Sequence, residues 1–219
     1  RRTDLLQKPL VALIRAAYDI VTGGWDAEDV SAYLRTGLAG LTPEETDTLE
    51  NYVLLWSLRG GAWTRPEPWR QHPDGYGAPD TDEAAARLAE INDLRRRAAD
   101  PLRLLGAESH AAATMALADF LERLHLAQRL GTLAEDLRRE GRGALAAEYA
   151  QLWELTAGAL EQFAAILGDT QMDADTFATL FLRMLSCYDI GTIPVALDRV
   201  TAGDLDRMRR GGIRHLIVL

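Results

Sequence analysis

Apolar residues at Leu6, Leu10, Leu13, Ile14, Ala17 and Ile20 recur at helical spacing, and Gly23-Gly24 stops the pattern. Asp26 is placed to cap a short helix through Leu34, closed by Gly37. Thr42-Pro43-Glu44-Glu45 has the form of a capping box with proline at the first helical position. The helix it opens carries Leu49, Tyr52, Val53 and Trp56 and is expected to end at Gly60-Gly61. A polar helix starts from Asp80, with Glu83 placed for a second capping box, and Asp100-Pro101 breaks it after about Ala99. The next is expected from about Glu108 to Leu126, burying Met115, Leu117, Phe120, Leu121 and Leu124. Residues 127–141 continue it, and Gly141 and Gly143 mark a bend. Leu145, Tyr149, Leu152, Thr156, Leu160, Phe163 and Leu167 then form the best amphipathic stretch, ended by Gly168. Asp173 caps a final helix through Phe177, Leu180, Phe181 and Leu185.

Two regions break this periodicity. Residues 60–80 hold Trp63, Trp69, Tyr76, four prolines, Arg65 and Arg70. An irregular segment of that length inside a compact domain is often functional, and the plain reading is a surface loop pinned by its two tryptophans. Ile190 to Val200 suits extended structure, and His215 to Leu219 is nearly all apolar, as in a strand buried on both faces. A lone strand of that kind needs neighbours, so the chain is expected to be a piece of a longer one. The fold class is mainly α: an irregular multi-helix domain over 1–188 with a short β element at the C-terminus, over 189–219.

Composition narrows the function. The chain has 219 residues, enough for one sizeable domain, and 47% of them are hydrophobic. No apolar run approaches the roughly 20 residues of a membrane helix. Its single cysteine, Cys187, permits no internal disulfide, which points to a reducing, cytoplasmic setting and a core role for that residue. The 24 basic and 33 acidic residues leave a net charge of −9, which disfavours phosphate binding over the whole surface and directs attention to local basic patches. Lys8 is the only lysine and does not follow a glycine-rich loop, so no Walker A motif is present. HExxH, paired-cysteine and GxSxG motifs are missing as well, and His72, His110, His125 and His215 lack ligand spacing. No catalytic, cofactor-binding or metal residue is therefore assigned. The run Arg95-Arg96-Arg97 reads as a solvated helix face.

Two stretches resemble the AddB family, the B subunits of bacterial AddAB ATP-dependent helicase–deoxyribonucleases. The first runs from Thr36-Gly37-Leu38 through Leu41-Thr42-Pro43-Glu44-Glu45 and Leu49-Glu50-Asn51-Tyr52-Val53 to Trp56, Arg59-Gly60 and Trp63. The second is Ile190-Gly191-Thr192-Ile193-Pro194, Leu197-Asp198-Arg199-Val200 and Gly203-Asp204-Leu205-Asp206-Arg207-Met208-Arg209, leading into Ile213 to Leu219, with Arg199 in place of the usual glutamine. The resemblance implies a helical insertion in the second helicase-like domain, with 189–219 returning to a RecA-like sheet. It implies an AddA-like partner, DNA ends as the substrate of the parent complex, and repair by homologous recombination. ATP, magnesium and an iron–sulfur cluster would belong to other parts of the parent, with no cofactor in this stretch.

The residues themselves suggest where DNA could be met. Arg59, Arg65 and Arg70 could neutralise phosphates, and Trp63 or Trp69 could stack on an unpaired base. Arg207 and Arg209, with Arg210 and Arg214, form a second basic cluster. Asn51 or Tyr52 could orient the 60–80 loop, against the plainer reading of Leu49, Tyr52, Val53 and Trp56 as a core stripe. Two functions follow: a non-catalytic helical domain that shapes or contacts the DNA path, or an interaction module that docks the partner without touching DNA.

Overall fold

The first helix, α1 (Pro9–Gly23), is buried on most of its surface. Leu10, Val11, Leu13, Ile14, Ala16, Ala17, Tyr18 and Ile20 are all buried, on more than one face of the helix. A helix apolar almost all round must be covered almost all round. Here α2 (Ala27–Leu34), α9 (Ala174–Ser186) and a 3-10 turn (Pro101–Leu104) supply the cover. The computed structural model describes residues 8–106, 112–167 and 170–188. The β element expected over 189–219, with Arg207 and Arg209, lies outside the described residues.

The remaining elements are α3 (Pro43–Leu55), a single turn α4 (Gly61–Thr64), α5 (Asp82–Ala99), α6 (Ala113–Arg123), α7 (Leu126–Arg139) and α8 (Gly143–Leu167). No strand occurs among the described residues. Helix α3 packs on α5, α7 on α8, and both α8 and α1 on α9, giving an irregular helical bundle. Phe163, Phe177 and Phe181 join α8 to α9 with ring centroids 5.4 to 5.7 Å apart. No helix of the described residues is long and apolar enough to cross a membrane.

The capping box at Thr42 forms as expected: Glu45 N–H donates to Thr42 Oγ1 (3.2 Å) and Thr42 N–H to Glu45 Oε2 (2.8 Å). Other boundaries differ from expectation. Helix α3 stops at Leu55, because Ser57 adopts a left-handed conformation (φ +49°) and Leu58 N–H turns back to the Val53 carbonyl at 3.0 Å. The cap of α5 is Thr81, bonded to Ala84 N–H at 3.1 Å, rather than a box built on Glu83. The helix expected from about Glu108 to Leu126 and continued by 127–141 is broken at Leu124–His125, where His125 is left-handed (φ +52°). Met115 is 59% exposed rather than buried, and Cys187 is exposed rather than in the core.

Candidate nucleic-acid interface

Residues 65–80 have no regular structure, so their backbone groups need partners that no helix or ladder supplies. Side chains of α3 and α5 provide them. Asn92, buried on α5, accepts from Trp69 N–H at 2.7 Å and donates to the Trp69 carbonyl at 3.0 Å, as a neighbouring strand would. One turn further along α5, Arg95 is only 5% exposed. Its Nε and Nη2 donate to the Trp63 carbonyl (3.1 and 3.0 Å), Nη1 to the Glu67 carbonyl (2.8 Å), and Nη2 also to the Arg65 carbonyl. Its guanidinium lies 5.0 Å from the Trp69 ring centroid. Burial pulls the Arg95 pKa below the ordinary arginine value, yet the rigid fork stays charged at working pH. Arg95 is thus an anchor for the loop, not part of a solvated face.

Helix α3 holds the far end. Tyr52 Oη donates to the Gln71 carbonyl (2.9 Å) and Trp56 Nε1 to the His72 carbonyl (3.0 Å). Both readings of this helix hold together: Tyr52 is a buried core residue, and its hydroxyl orients the loop. Asn51 is exposed. Glu50 reaches across to α2, accepting from Ser31 Oγ (2.5 Å) and Arg35 Nε (3.2 Å).

Trp63 and Trp69 are each 1% exposed. They meet edge to face at 5.1 Å, Tyr52 stacks on Trp69 at 5.5 Å, and Trp25 stacks on Trp63 at 6.1 Å. Neither indole has a face open to a base in this arrangement, so the two rings serve as the loop's buried pins. The open ring is Tyr76, 99% exposed between Gly75 (φ +97°) and Gly77 (φ +77°). Left-handed backbone on both sides is what glycine permits at low cost. The tip is tied by His72: Nδ1 accepts from Asp74 N–H (3.1 Å), which leaves Nε2 to donate to the Pro79 carbonyl (3.2 Å). Asp74 also pairs with Arg87 of α5 at 2.5 Å.

Arg59, Arg65 and Arg70 are exposed on this anchored stretch. None of the three pairs with a carboxylate among the described residues. The backbone beneath Arg65 and Arg70 is fixed at the Trp63, Arg65 and Gln71 carbonyls, and next to Arg59 the Gly60 N–H donates to the Trp25 carbonyl at 3.0 Å. The arrangement offers cations and one free aromatic ring on ordered backbone, the elements of a single-strand platform. Tyr76 is the member of this set that hydrophobic periodicity does not single out; its signal in the sequence is the two flanking glycines. Among the described residues, no three His, Cys, Asp or Glu side chains gather to hold a metal ion.

No family model matches the chain. Known proteins do. The B subunit of the ATP-dependent helicase/deoxyribonuclease of Clostridium botulinum strain Hall is 31% identical over 226 residues. The protein of the same name from Acetivibrio thermocellus is 32% identical over 225 residues, and that from Desulforudis audaxviator 34% over 234. The whole chain matches a segment of the AddB family. Each alignment covers 100% of this chain and 20% of the relative, so the chain spans about a fifth of the length of the curated relatives it matches. Residues of the first AddB-like stretch, Thr36 to Trp63, have structural work in this segment. Leu49, Tyr52, Val53 and Trp63 are buried, Thr42 and Glu45 cap α3, and Gly60 (φ +58°) opens the turn that places Trp63.

Proposed function

We propose that this segment is a non-catalytic helical domain of a DNA double-strand-break repair helicase–nuclease, and that it contacts the DNA path through the 59–76 stretch. The observation carrying this reading is the anchored loop: Arg65, Arg70 and Tyr76 stand exposed on a stretch whose carbonyls are held by Arg95, Tyr52 and Trp56, with Arg59 exposed just before it. Ordered backbone lowers the entropy lost when a flexible strand is captured. The matched relatives are named as parts of a helicase/deoxyribonuclease, which makes DNA the natural ligand. The chemistry of ATP hydrolysis and strand cleavage, with ATP, magnesium and an iron–sulfur cluster, is assigned to other parts of the parent and to an AddA-like partner. This segment works on the path of the strand.

The test is binding of the chain to labelled forked DNA across a salt series. Affinity should fall steeply with salt, and Arg65→Ala with Arg70→Ala should weaken binding and flatten the salt slope by about two ions. Binding that ignores both salt and these substitutions counts against the proposal. A docking role without DNA contact is the second reading. It is favoured by the net charge of −9 and by an apolar groove of about 530 Å³ between α6, α7 and α8, lined by Met115, Leu121, Trp153 and Leu160.

A further inference from the structure

A second basic site lies on another side of α5. Successive residues on a helix point about 100° apart, so Arg96 and Arg97 face away from the loop that Arg95 anchors. Both line a cavity of about 340 Å³, together with Arg123 at the end of α6 and Arg129 at the start of α7. That volume is at the low end of the roughly 300–1,000 Å³ of ligand sites. The left-handed turn at His125, itself in the lining, directs the end of α6 and the start of α7 onto the cavity.

The charges here divide into two groups. Arg96 is paired with Asp93 (3.0 Å), Asp100 with Arg103 (3.5 Å), and Arg97 with Glu45 (2.6 and 2.9 Å) and the Gly40 carbonyl (2.9 Å). The carboxylates facing the cavity, Asp93 and Asp100, are thus already matched, and so is Glu45 behind it. Arg129 donates to the Leu38 carbonyl at 3.4 Å, and neither Arg129 nor Arg123 pairs with a carboxylate among the described residues. Four arginines thus converge on one concavity of a chain with net charge −9, and two of them have donors to spare. Two guanidinium forks on a concave surface match the geometry of a phosphate group.

We infer that this cavity binds a phosphate group through Arg123 and Arg129, and that the group belongs to the backbone of a single-stranded nucleic acid. The choice of a strand rests on the proposed DNA contact; the phosphate chemistry does not. The site would give a strand a second point of attachment, separate from the loop. Its test is a titration of the full 219-residue chain, with arginine side-chain Nε–Hε resonances observed, using inorganic pyrophosphate in one arm and an oligothymidylate in the other. The Arg123 and Arg129 resonances should move with both probes. Arg123→Ala, an exposed position, should raise the apparent dissociation constant about tenfold without changing the circular dichroism. Movement with the oligonucleotide alone also supports the site. Movement with pyrophosphate alone overturns the strand as the source. Movement confined to Arg59, Arg65 and Arg70 overturns the cavity while leaving the loop reading intact, and movement confined to Arg123 and Arg129 does the reverse. No movement at any of them overturns both.

Discussion

The loop over 65–80 and the α7–α8 hairpin are held by different forces. The hairpin is regular and amphipathic, with a small core of Ala134, Leu137 and Ala146 beside the main one. Several of its polar contacts are local, such as Arg139 with Asp136 and Thr156 Oγ1 with the Leu152 carbonyl (2.8 Å). The loop has no regular structure, yet side chains 16 to 30 residues away in sequence take its carbonyls. Apolar burial is spread over many atoms and degrades gradually. A loop hung on a few buried polar groups depends on each of them, since an orphaned buried carbonyl bears its full desolvation cost. The two regions should therefore respond differently to substitution.

The largest effect is expected from Arg95→Ala, which strips donors from the Trp63, Arg65 and Glu67 carbonyls and should cost about 3 kcal/mol or more. Urea unfolding reads the loss, and limited proteolysis should open new cuts between 65 and 80. Arg95→Lys should recover only part of it, because one ammonium cannot span three carbonyls. Next is Leu137→Ala in the hairpin, expected to cost about 2 kcal/mol through lost burial and the void it leaves. Hydrogen exchange should then rise in α7 and α8 while the loop stays protected; matching responses in both regions would erase the contrast. Tyr52→Phe removes one hydroxyl from the Gln71 carbonyl and should cost about 1 kcal/mol.

The smallest effect is a pH dependence. The Arg97 guanidinium and the Thr42 N–H hold the Glu45 carboxyl below its ordinary range. A depressed folded-state pKa contributes stability above the unfolded value of about 4.3, and that contribution disappears as pH falls through the folded value. Glu45→Gln should therefore flatten the acid limb of the stability curve and leave neutral-pH slopes unchanged, as measured by Tm against pH.

The same contrast governs how much the residues disclose on their own. Helices α1, α8 and α9 are legible because their apolar positions repeat at helical spacing and glycine or aspartate marks their ends. The break at His125 is not, since neither glycine nor proline announces it, and the same holds for Ser57 at the end of α3. Arg95 looks like a solvated residue for a physical reason. Periodicity places it on a helix, but nothing local shows that three carbonyls and an indole await it some 30 residues earlier. The tryptophans are pins, as the plain reading of the loop has them, and Tyr76 is left as the exposed ring of the loop. The basic cavity is hidden because Arg97, Arg123 and Arg129 come from three helices.

The central claim is that the loop is ordered by α5, so that its arginines and Tyr76 sit on fixed backbone. Amide hydrogen exchange at Trp69 tests it most directly, because that N–H ends on the buried Asn92 Oδ1 at 2.7 Å. The account predicts protection comparable to the amides of α5, lost on Asn92→Ala. Exchange at the rate of an open chain, while α5 itself remains protected, would contradict it.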